Sequence, residues 1–82
     1  MGDTKEIREL TLLLLWLTSW EESILDVKVR RSWKGYDFHI LNELSNEGLI
    51  TGSRRAKSVY LTEEGVEKAK RLERKYLSLT QK

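Results

Sequence analysis

Apolar residues recur at helical spacing in three parts of this chain and alternate with polar ones elsewhere. Ile7, Leu10, Leu13, Leu14, Leu17 and Trp20 fall on one face of a helix predicted over 4–20. Asp3 and Glu6, three residues apart, give that helix a capping-box-like start, with negative charge at its positive end. Leu12, Leu15 and Trp16 make a second stripe. One stripe packs a helix against one core, so the second needs cover of its own. Two sources of cover are open. One is the last helix of the same chain, through Val66, Leu72 and Tyr76. The other is a second copy, in a two-fold homodimer that uses Leu12, Leu15, Trp16 and Tyr76.

A shorter helix is predicted over 37–47, with Asp37 as its cap and Phe38, Ile40, Leu41 and Leu44 as its buried face. Gly48 suits the left-handed residue that closes a helix, which folds Leu49 back toward Leu44. Residues 49–61 read as a hairpin: Leu49–Thr51 enters, Lys57–Leu61 returns, and Gly52-Ser53 supplies turn chemistry. Thr62 caps a final helix over 62–79, striped by Val66, Ala69, Leu72, Tyr76 and Leu79. Residues 21–36 stay ambiguous. Val27, Lys28, Val29 and Arg30 alternate as a strand would, which favours an extended segment. Trp20, Ile24 and Val27 are equally compatible with one more helical turn. The order of elements predicts a mainly α fold with a small β-hairpin wing, a winged helix-turn-helix, occupying 1–82 as a single domain.

Composition narrows the class. A chain of 82 residues buries about 60–65% of the surface its unfolded form exposes, which leaves a thin stability margin. It has no cysteine, so neither a disulfide framework nor a thiolate metal site is available. The longest apolar run, Leu12 to Leu17, is far short of the roughly 20 residues of a membrane span. The charged residues before it do not read as a signal peptide, and Glu6 stands where a myristoylation signal wants Ser or Thr. A soluble cytoplasmic protein with no membrane partner is expected. His39 is the only histidine, and no spacing of acids around it supplies the three or four ligands of a metal site. The glycines are isolated, and no serine sits in a His-plus-acid pattern. No catalysis, metal or cofactor is expected.

The net charge is only +2, but it is laid out in blocks. Residues 28–36 carry Lys28, Arg30, Arg31 and Lys34 without an acid. Residues 37–47 carry Asp37, Glu43 and Glu47 without a base. Residues 48–62 carry Arg54, Arg55 and Lys57 without an acid.

The stretch Ile40–Ile50, followed by Arg55-Ala56-Lys57-Ser58-Val59-Tyr60-Leu61-Thr62-Glu63-Glu64-Gly65, resembles the second half of MarR- and PadR-type winged-helix regulators. In those proteins a recognition helix ends in Gly-Leu-Ile or similar, and the wing's return strand leads into Leu-Thr-x-x-Gly and a long helix. With Trp33-Lys34-Gly35-Tyr36-Asp37-Phe38 in front, residues 7–77 look more closely like a family of small prokaryotic proteins known only as a domain of unknown function. The resemblance to the regulators implies double-stranded DNA as partner. Arg54, Arg55 and Lys57 would then lie along phosphates from the wing. Tyr36, His39 and Asn42 would be offered by the recognition helix, where Asn42 has adenine as its standard partner. Arg30, Arg31 and Lys34, around Trp33 and Tyr36, form a second basic group, although a tryptophan in so small a domain is usually core. Glu43 and Glu47 on the same helix oppose phosphate binding. They favour the alternative, a protein-interaction or dimerisation module without nucleic-acid binding.

Overall fold

Seven elements make up the computed structural model, which describes residues 4–52 and 56–77. They are α1 (Thr4–Leu17), β1 (Trp20–Ile24), β2 (Val27–Trp33), α2 (Phe38–Asn46), β3 (Ile50–Thr51), β4 (Ser58–Leu61) and α3 (Glu63–Leu77). The strands form an antiparallel sheet in the order β1-β2-β4-β3.

This is an α+β fold, and it replaces the expected mainly α winged helix-turn-helix. The stretch where that motif needs its middle helix is a β-hairpin, β1–β2. Thr18 and Ser19 close α1 by donating their hydroxyls to the carbonyls of Leu14 (2.8 Å) and Trp16 (2.6 Å). Leu25 and Asp26 then adopt positive φ, 51° and 69°, in a two-residue turn whose twist matches the strands it joins. The second hairpin is no free wing either. β4 is an interior strand, paired to β3 on one side and to β2 on the other, with Arg30 opposite Leu61 and Trp33 opposite Ser58.

The core lies between the inner face of the sheet and the helices. Ile50, Val59 and Leu61 face inward with Ser32, and meet Leu12, Leu13 and Leu15 of α1, Ile40, Leu41 and Leu44 of α2, and Ala69 and Leu72 of α3. Apart from Leu13, which is buried, the expected faces of α1 are therefore exchanged. Leu12 and Leu15 are 0% exposed, whereas Ile7, Leu10, Leu14 and Leu17 face solvent. Helical spacing says which residues share a face, not which face meets the sheet.

The dimer contacts expected at Leu12, Leu15, Trp16 and Tyr76 are accordingly internal ones. Trp16 donates its indole N–H to Glu73 at 3.1 Å, under the guanidinium of Arg30 at 5.0 Å from the ring. Tyr76 donates its hydroxyl to Glu9 at 2.8 Å, and Lys75 Nζ reaches the same oxygen at 3.2 Å. The last helix of the same chain thus covers this side of α1. Arg8 joins α1 to α2 by pairing with Glu43 at 3.5 Å and with Glu47.

Local motifs close both ends of α2 and tie its C-terminal end to the start of α3. The Asp37 carboxylate accepts from the backbone N–H groups of His39 (2.8 Å) and Ile40 (3.4 Å), which caps α2. Gly48, at φ 78°, closes it, and Leu49 N–H returns to the Leu44 carbonyl at 3.0 Å. Thr62 donates its hydroxyl to the Gly48 carbonyl at 2.6 Å and accepts from Gly65 N–H at 3.0 Å. Its own N–H bonds the Leu49 carbonyl at 3.0 Å.

Candidate nucleic-acid interface

Pairing of β2 with β4 brings together two basic blocks that the acidic stretch separates in sequence. One residue beyond the Trp33–Ser58 pair, Lys34 N–H donates to the Lys57 carbonyl at 3.1 Å, so the two lysines stand side by side at the end of the ladder. Arg54 and Arg55 lie outside the described residues.

Strand alternation decides which side chains share a face of the sheet. Residues opposite one another in a ladder share a face. The inner face takes Ser32, Val59, Leu61 and Ile50, so the outer face takes Trp20, Glu22, Val29, Arg31, Trp33, Tyr60 and Thr51. Trp33 is 62% exposed there. Its ring centroid is 5.8 Å from that of Trp20, at a tilt of 52°. Arg31 lies over the Tyr60 ring at 5.3 Å. It donates Nε–H to the Ser58 hydroxyl at 2.7 Å and Nη1–H to both Glu22 oxygens, at 3.0 and 3.3 Å. The hydrogen bond it donates to Glu22 holds this guanidinium above its ordinary pKa. Arg31 is thus a charge already spent within the sheet, and it fixes the aromatic surface rather than reaching beyond it.

The remaining expected site residues separate. Arg30 faces the other way, donating to the hydroxyl and carbonyl of Ser19 at 3.1 Å each, which clasps the end of α1. Tyr36 is half-buried and packs on the core. Lys57 is exposed and Lys34 half-buried. His39 and Asn42 are exposed on α2, away from the strands in sequence and on a different element. The acids expected to repel phosphate from that helix, Glu43 and Glu47, hold Arg8.

Trp33 lies on the surface and not in the core expected of a tryptophan in so small a domain, and half-buried Trp20 is its ring partner. The parity of Val27, Val29, Arg31 and Trp33 along β2 was visible in the sequence. What hid the outcome is that the inward positions of the same strand are the polar Arg30 and Ser32. Nothing about hydrophobicity marks those as the inside.

An open groove of about 1330 Å³ runs between the β1–β2 hairpin and the first turns of α3. Val29, Leu61 and Val66 are among its apolar lining residues, and Lys28, Arg71, Glu63 and Glu67 among its charged ones. Among the described residues no group of His, Cys, Asp or Glu could hold a metal ion, and no helix is long and apolar enough to cross a membrane.

Residues 3–79 match the profile of a family described as "Domain of unknown function (DUF6429)". The chain is 35% identical over 74 residues to "Uncharacterized protein y4hR" of Sinorhizobium fredii (strain NBRC 101917 / NGR234), which covers 89% of this chain and 90% of that protein. No solved structure matches.

Proposed function

We propose that this chain, which belongs to the family described as a domain of unknown function (DUF6429), binds nucleic acid at the end of its sheet where Trp33, Lys34 and Lys57 come together. The observation that carries this reading is Trp33, largely exposed on the strand and next in sequence to Lys34, which is backbone-bonded to Lys57. An exposed indole offers a face on which a base stacks, and lysines at the same end of the ladder supply charge for phosphate. Stacking needs an unpaired base, so a single strand is the favoured ligand and duplex the weaker one. α2, with its acids held by Arg8, takes little part.

Titration of tryptophan fluorescence with an oligothymidylate at low and moderate salt tests this. Trp33→Ala is expected to weaken binding by about 5- to 150-fold, the range that loss of one stacked base covers. Lys34→Ala with Lys57→Ala is expected to flatten the log–log salt dependence by about 1.4, if each meets one phosphate of a single strand. No binding at low salt, or duplex bound as tightly with Trp33→Ala harmless, refutes the reading. The competing reading, a protein-interaction module, draws its support from a different surface, the exposed side of α1.

A further inference from the structure

Ile7, Leu10, Leu14 and Leu17 of α1 are each between 42% and 47% exposed. Leu12, Leu13 and Leu15 of the same helix are buried in the core. From Leu10 onward α1 is thus apolar almost all the way round. A helix of that kind belongs inside a structure, and this one has only one side covered. The open stripe advances by three, four and three residues, the spacing of a coiled-coil seam.

We propose that a second copy of this chain occupies the stripe, packing α1 against α1 in antiparallel fashion about a two-fold axis. The spacing of three, four and three reads the same from either end, as a two-fold antiparallel seam requires. Ile7 then meets the partner's Leu17, and Leu10 meets the partner's Leu14. The rim agrees. Glu6 borders one end of the stripe and Thr18 the other, both exposed. An antiparallel pair sets Glu6 beside the partner's Thr18, whereas a parallel pair would set two glutamates together. Antiparallel helix dipoles also attract. A lipid surface fits less well, because an interfacial helix flanks its apolar face with Lys and Arg, whereas Glu6 and Thr18 border this one.

Four half-exposed side chains offer roughly 350 Å², within the range of the largest apolar patch on a typical monomer, a patch that is often functional. With the rim, two copies bury on the order of 1,000 Å², the low end of specific interfaces. The expectation is a dimer of micromolar affinity. It uses α1 alone and stands apart from the nucleic-acid reading, so Trp33→Ala leaves it intact.

Sedimentation velocity of the full chain, from low micromolar to about 1 mM, tests the proposal. The mass rises from one chain to two in the native protein. Leu14→Glu stays a single chain throughout, with an unchanged circular dichroism spectrum, since Leu14 already faces solvent in the single chain. The absence of cysteine permits a second, independent measurement. Under oxidation, Leu10→Cys mixed with Leu14→Cys cross-links between the two variants faster than either does with itself. A native chain that stays monomeric at the top concentration overturns the proposal. So does a Leu14→Glu chain that still dimerises, or self-cross-linking of the single variants as fast as the mixture.

Discussion

Gly65→Ala separates local preference from tertiary packing, because the two predict opposite signs. Gly65 lies in the first turn of α3, where alanine improves helix formation by about 1 kcal/mol. A Cβ built there would stand 1.9 Å from the Leu49 carbonyl oxygen, 2.9 Å from its carbon and 3.3 Å from its Cα. An ordinary carbon–oxygen approach is about 3.3 Å, so the start of α3 must retreat by more than 1 Å. Every opposing atom is backbone, and none can swing aside. The retreat pulls on the bonds from Thr62 to the Leu49 and Gly48 carbonyls. Overpacking of this kind costs about 1–3 kcal/mol, and one net hydrogen bond adds about 1 kcal/mol. After alanine's helical advantage, the loss is about 1–3 kcal/mol. For a domain of this size each kcal/mol moves the melting temperature by about 4–8 °C, so a drop of roughly 4–24 °C is expected. Thermal and urea unfolding followed by circular dichroism measures it. Gly35→Ala is the control, since nothing lies within 4 Å of its added carbon, and it should change stability by less than about 0.5 kcal/mol. If Gly65→Ala melts at or above the native temperature, the close approach of Leu49 does not govern this junction.

Two further outcomes follow from particular contacts. The Tyr76 hydroxyl, followed by Lys75, holds the Glu9 carboxylate below its ordinary pKa against the opposing pull of burial. A depressed carboxylate stabilises the fold above the usual carboxylate range and ceases to do so as pH falls through its lowered value. Tyr76→Phe should therefore lower the urea midpoint near neutrality and lose that difference in acid; a deficit independent of pH would mean that the phenol acts by packing alone. Leu25 is 92% exposed and held at φ 51°, a conformation that disfavours leucine and suits asparagine. Leu25→Asn should stabilise the chain by about 0.5–1 kcal/mol in the same unfolding assay, and a lowered melt would refute strain at this turn.

Several features were legible because their causes are local. The stripe of α3, the Asp37 cap of α2, and the Gly48-Leu49 closure depend on residues within a turn or two of one another. The Leu61-Thr62-x-x-Gly65 pattern was legible as a pattern. Its reason, a hydroxyl bridging Gly48 to Gly65 and a carbonyl pressed onto a missing side chain, came only with the contact to Leu49.

Residues 20–33 defeated periodicity because Trp20, Ile24 and Val27 fit a helical turn as well as a strand. A strand's stability lies in its partners: here β1 pairs with β2, and β2 with a segment some thirty residues on. The sheet also made Trp33 a surface group, and set Lys34 beside Lys57. On α1 the sequence by itself determined two apolar stripes and their spacing. Only the tertiary structure decided that Leu12 and Leu15 go inside and that Ile7, Leu10, Leu14 and Leu17 stay out. Helical spacing is a property of one helix, whereas the choice of face is settled by what the sheet and the other two helices can bury.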